Sequence, residues 1–163
     1  MIDPALCRSL VWDSDFFGRR IGRILPPRLT ADEMARALDW AAAEGVEGLY
    51  LLADASHRET IRLAEDHGFR FMDLRVLFER AAPGPAPADP AIRPWEARDL
   101  PALRAIARVS YHDSRFYFDE QFPDALCDAL YETWIEKSCH GYAEQVLVAE
   151  QDGAAAGYIT CHL

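Results

Sequence analysis

Residues 81 to 91 read AAPGPAPADPA, four prolines and a glycine with no large apolar side chain. Such a segment offers neither a helical apolar stripe nor an alternating one, and it favours a stiff, extended backbone. It divides the chain into a lobe at residues 1–81, a linker at 82–91 and a second lobe at 92–163. Lobes of this size bury little apolar surface alone, so the two are expected to pack on one another.

In the first lobe, Ser9–Asp13 reads as a short strand and Trp12–Gly18 as a turn folding aromatic rings onto a core. Arg19–Leu25 reads as a second strand, weakened by Gly22 and ended by Pro26-Pro27. Thr30-Ala31-Asp32-Glu33 is a capping box. The helix it opens is predicted to reach about Glu44, with Met34, Leu38, Ala41 and Ala42 inward and Gly45 as its stop. Gly48–Ala53 is apolar almost throughout and reads as a strand covered on both faces. Ser56–Glu59 is a second capping box, opening a helix that runs to His67 and closes at Gly68. Phe69–Arg80 reads as one or two further strands. The order describes an α/β lobe with a right-handed crossover.

In the second lobe, Ile92–Trp95 reads as a strand. Asp99 caps a helix carrying Pro101 in its first turn and marked by Leu103, Ile106, Ala107 and Ser110. Ser110–Gln121 is a polar-aromatic loop, and Pro123–Ser138 a helix. That helix turns Leu126, Leu130 and Trp134 inward and carries Asp124, Asp128, Glu132 and Glu136 as a solvated acidic stripe. Val146–Ala149 and Ala154–Leu163 are strands joined by Asp152-Gly153, a dipeptide that supplies positive φ to a tight hairpin turn. The return strand contains no Asp, Glu, Lys, Arg or Pro, so nothing in it discourages pairing along an open edge. The expected consequence is a homodimer in preference to the alternative, a monomer in which the first lobe completes the sheet.

Acidic side chains outnumber basic ones 27 to 17, a formal net charge of −10. That balance argues against a nucleic-acid partner and against an acidic membrane surface. The N-terminus has no apolar core of leader length, and no window approaches a membrane span. Cys7, Cys127, Cys139 and Cys161 show no paired spacing and read as reduced thiols of a cytoplasmic protein. Cys139-His140 is a weak metal pair without further ligands, so no metal is expected.

The second lobe runs strand, helix, helix, strand, strand. It opens "IRPWEARDLPALRAIARVSY" and its hairpin reads "LVAEQDGAAAGYI". This resembles the opening half of a GNAT-superfamily acetyltransferase. "GVEGLYLLADASHRETIRLAEDHGFRF" in the first lobe resembles that family's closing half. "LVWDSDFFGRRIGRI", "HDSRFYFDE" and "LYETWIEKS" are similar to its members that acetylate the amino group of a nucleotide-linked aminodeoxysugar. The resemblance implies a mixed α/β fold, a degenerate GNAT-like lobe followed by the first half of a GNAT domain. It implies transfer of acetyl from acetyl-CoA to such an acceptor. The family's pyrophosphate-binding sequence, Gln/Arg-x-x-Gly-x-Gly/Ala, occurs nowhere in the 163 residues. The family's fourth strand and general-acid tyrosine belong after Leu163. The acetyl-CoA-binding half is therefore expected to be missing from this chain, and a non-catalytic binding or assembly module is the alternative.

Acetyl transfer to an amine needs a neutral amine, a donor to the thioester oxygen and a proton for the leaving thiolate. No catalytic residue is assigned within these residues. The candidates for acceptor binding lie in the aromatic loop and on the return strand. His112 is suited to accept a proton near neutral pH, or is simply exposed. Arg115 pairs with a diphosphate, or with Asp113, Asp119 or Glu120. Phe116 and Phe118 stack on a base, or plug the core. Tyr158 and Thr160 face the substrate if the return strand is central.

Overall fold

Residues 5–81, 84 and 89–162 are described in the computed structural model. The chain is mixed α/β, with six helices and two three-stranded sheets among those residues. It divides into two units, Met1–Phe71 and Met72–Leu163. The division falls before the proline-rich linker, most of which lies outside the described residues.

The first unit is built on β1 (Cys7–Ser9), β2 (Ile21–Ile24) and β3 (Gly48–Leu51), in the order β1-β2-β3. β1 and β2 are antiparallel; β2 and β3 are parallel and need the crossover that α2 (Ala31–Glu44) provides. The Thr30 capping box stands as read. The Thr30 hydroxyl accepts the Glu33 N–H at 3.2 Å, and the Glu33 carboxylate accepts the Thr30 N–H at 2.8 Å. Gly45, at φ +63, ends the helix. α2 lays Met34 and Ala37 on Leu6, Cys7, Ile24 and Leu29, with Ala64 of α3 (Arg58–Asp66) closing the cluster.

Gly22 is required by contact. A Cβ built on it stands 2.8 and 2.9 Å from Cη2 and Cζ3 of Trp40, whose indole packs on this core. Gly22→Ala is expected to cost about 1–3 kcal/mol, the usual penalty for an overpacked interior. Urea unfolding of the two proteins measures it, and an unchanged midpoint would show that the indole moves aside freely.

Three expectations for this unit are corrected. The Val11–Phe17 segment is a helix, α1, and β1 begins two residues before the expected strand. Trp12 and Phe16 stack at 5.1 Å, one helical turn apart, so their spacing serves helical rather than alternating geometry. His57, not Ser56, caps α3, its Nδ1 accepting the Thr60 N–H at 3.3 Å. Ser56 is already engaged: its hydroxyl and N–H both donate to Asp54 Oδ1, at 2.7 and 2.9 Å. Phe69–Arg80 forms no strand. Strand propensity needs a paired neighbour to act, and Leu74, Val76, Leu77 and Phe78 instead stand exposed.

In the second unit β4 (Ile92–Pro94), β5 (Gln145–Gln151) and β6 (Ala154–Cys161) form an antiparallel sheet in the order β4-β5-β6. Asp152 at φ 52 and Gly153 at φ 79 make the β5–β6 turn, as the dipeptide predicts. The expected end of β6 at Leu163 lies outside the described residues. Between β4 and β5 run a tight turn (Ala97–Asp99), α4 (Leu100–Ser110), the short α5 (Arg115–Phe118) and α6 (Asp124–Lys137). The predicted 110–121 loop thus contains a helical turn. α6 buries Cys127, Leu130, Tyr131 and Ile135 and packs on α4, whose Leu103 and Ala107 are also buried. Leu126 is half-buried and Trp134, at 37% exposure, lies at the edge of that face.

The acidic stripe of α6 is not simply solvated. Arg104 of α4 donates to Glu132 at 2.9 Å, and Arg108 to Asp128 at 3.1 Å. Arginines one turn apart on α4 meet carboxylates one turn apart on α6, so the stripe is an interhelical seam. Asp99 is also used differently than expected. Its carboxylate makes no side-chain cap to α4. It takes both terminal nitrogens of Arg93, at 2.7 and 2.9 Å, and the Glu96 N–H at 2.8 Å. Arg93 Nε donates to Glu150 at 2.6 Å, tying β4 to β5 and to the start of α4.

Candidate functional site

Tyr158 and Thr160 are opposite Val148 and Val146 in the β5–β6 register. Opposed residues share a sheet face, and both valines are buried. Tyr158 and Thr160 therefore project toward the helical layer, and Ile159 projects away from it, 59% exposed. Among the described residues β5, not β6, is the central strand, so the condition set for these two, a central return strand, is not met.

The end of α4 reaches this face. Tyr111, the residue after α4, places its hydroxyl 3.2 Å from that of Tyr158. Its ring stacks on Tyr131 of α6, with centroids 4.5 Å apart. Burial, then the bond to Tyr111, pushes the Tyr158 phenol far above its ordinary range, so it stays neutral. Two phenols sharing one hydrogen bond retain a donor and lone pairs for a third polar group.

His112 follows Tyr111, is exposed, and lies 4.5 Å from the ring of Tyr117. The Tyr117 hydroxyl donates to Asp128 at 2.7 Å, and burial with that bond raises its pKa well above the usual phenol. Arg115 is half-buried, its guanidinium 4.4 Å over the Phe116 ring, and its backbone N–H donates to Asp73 at 3.3 Å. Phe118 is exposed. Phe116 is corrected: at 1% exposure it is a core residue, edge-on to Phe122, Tyr131 and Trp134, and its ring is closed to a base.

The fold thus joins Tyr158 to the aromatic loop through Tyr111, which the sequence reading passed over. Tyr131 was passed over too. Tyr131 carried a signal, since it stands one turn after Cys127 on the buried face of α6. Tyr111 carried none, because its partner is 47 residues away.

No protein-family model matches the chain, and no curated protein matches it.

All four cysteines are free thiols. Cys139 is buried, which raises its pKa, while neighbouring His140 points to the Glu136 carbonyl at 2.7 Å. No group of three or more His, Cys, Asp or Glu side chains gathers as a metal site among the described residues. No helix among them is long and apolar enough to cross a membrane. The CoA diphosphate that the resemblance implies is an anion, and helix starts are where a fold commonly holds one. Among the described residues, three of the four helices of eight or more residues carry carboxylates in their first turn: Asp32 and Glu33 on α2, Glu59 on α3 and Asp124 on α6. Those charges oppose an anion where a helix would otherwise attract one.

Proposed function

We propose that this chain is the acceptor-binding portion of a cytoplasmic GNAT-type N-acetyltransferase acting on a nucleotide-linked aminodeoxysugar. The observation that supports the reading is the second unit's order, with two long helices between β4 and an antiparallel β5–β6 hairpin, joined to β6 by the Tyr111–Tyr158 contact. In this reading Arg115 meets the diphosphate, Phe118 the base, and the two phenols a sugar hydroxyl or the amine. In the same reading His112 takes the proton from an ammonium acceptor.

Calorimetric titration of the 163-residue chain with a dTDP-linked 4-amino-4,6-dideoxysugar is the test. The acceptor is expected to bind and acetyl-CoA is not. Arg115→Ala is expected to weaken acceptor binding by roughly tenfold or more, the loss of a charge-assisted contact to phosphate. Absence of acceptor binding, or low-micromolar binding of acetyl-CoA, overturns the reading. A second reading, a non-catalytic binding or assembly module, is favoured by the carboxylates at the starts of α2, α3 and α6. A chain that ignores both acceptor and acetyl-CoA supports it.

A further inference from the structure

In the first unit, Arg8 of β1 stands directly opposite Arg23 of β2, and Tyr50 of β3 is the next residue along the row. Residues in register project from one face of a sheet, so this row crosses a single face. The neighbouring row, Cys7, Ile24 and Leu51, belongs to the core on the other face. Side chains directly opposed in an antiparallel pair begin about 5 Å apart, and like charges there oppose pairing. The chain has 27 carboxylates to offer. Three other arginines of this unit use them, Arg28 with Asp54, Arg36 with Asp32 and Arg19 with Glu47, while Arg58, Arg62 and Arg70 form no such pair among the described residues. Arg8 and Arg23 make no side-chain ion pair or hydrogen bond among the described residues.

We propose that Arg8 and Arg23 form a binding site for a phosphoryl or diphosphate group. Two arginines opposed in register on one sheet face can bring two guanidinium forks to one oxyanion with several equivalent oxygens, each fork taking two of them. A multiply charged anion cancels the repulsion between the forks, whereas a single carboxylate leaves one fork uncompensated. The site is therefore selective for phosphoryl groups over simple carboxylates. This inference does not depend on the acetyltransferase reading.

The experiment is calorimetry on the full chain at fixed ionic strength with inorganic phosphate, pyrophosphate, dTDP and acetate. It is repeated on Arg8→Gln, Arg23→Gln and the double variant. Pyrophosphate is expected to bind the unaltered chain more tightly than acetate. Each single substitution is expected to weaken it roughly tenfold or more. Without anion, each single variant is expected to melt no lower than the parent, because the repulsion is gone; an arginine pair that merely supported the sheet would melt lower on substitution. Tighter binding of dTDP than of pyrophosphate assigns the site to a nucleotide, and equal binding to an inorganic phosphoryl group. The proposal fails if pyrophosphate does not bind, if acetate binds as well, if the double variant binds unchanged, or if the anion-free variants melt lower.

Discussion

Phe116→Ala is expected to lose about 3–5 kcal/mol of stability, and Phe118→Ala no more than about 0.5 kcal/mol. The two rings sit two residues apart on one helical turn, yet Phe116 is 1% exposed and Phe118 is 61% exposed. Phe116 presents its ring to Phe122, Trp134 and Tyr131 with centroids 5.7, 6.0 and 6.4 Å away. Removing it opens a cavity where α5 meets α6 and leaves the Arg115 guanidinium without the face it lies on. Urea unfolding with an unchanged slope reads the difference as a shift of midpoint. The pair also separates packing from recognition. Phe118→Ala is expected to weaken acceptor binding while leaving the midpoint in place. Equal losses of stability in the two variants would mean that Phe118 belongs to the core as well.

What could be read from the sequence was what neighbours in sequence decide. The Thr30 capping box, the stop at Gly45 and the Asp152-Gly153 turn each depend on contacts within a few residues, and each is present. The failures come from competition or from distance. Ser56 had the right side chain for a cap, but Asp54 engages it first. Phe69–Arg80 had strand composition, yet it pairs with no strand among the described residues. The acidic stripe of α6 looked solvated because Arg104 lies 28 residues before its partner Glu132. The candidate site divides in the same way. His112, Arg115 and Phe118 stood out as a cluster in the chain, whereas Tyr111 acquires meaning only when β6 brings Tyr158 to it. The Arg8–Arg23 row is set by strand register, which no local motif announces.

Asp99→Asn is expected to cost about 2–3 kcal/mol at neutral pH, the loss of charged hydrogen bonds from a buried carboxylate. Asp99 is 5% exposed and accepts both terminal nitrogens of Arg93 together with the Glu96 N–H. The bonds from Arg93 lead in holding its pKa down, from the ordinary 3.8 to about 2, against the opposing effect of burial. The folded-state pKa is thus the lower one, and the folded state binds fewer protons between the two values. The stability Asp99 contributes is fully present above about pH 4 and is lost as pH falls toward 2. Arg93 stays charged throughout, its own pKa raised by Asp99 and Glu150. The substituted amide has no such titration, and its oxygen can still accept the Glu96 N–H. The stability gap between parent and variant should therefore close across that acidic window and be constant above it. Urea unfolding at a series of pH values follows the gap directly. A gap that persists below the folded-state pKa would assign the loss to packing around the turn before α4, and the Arg93 charge would then contribute little to holding β4 on β5.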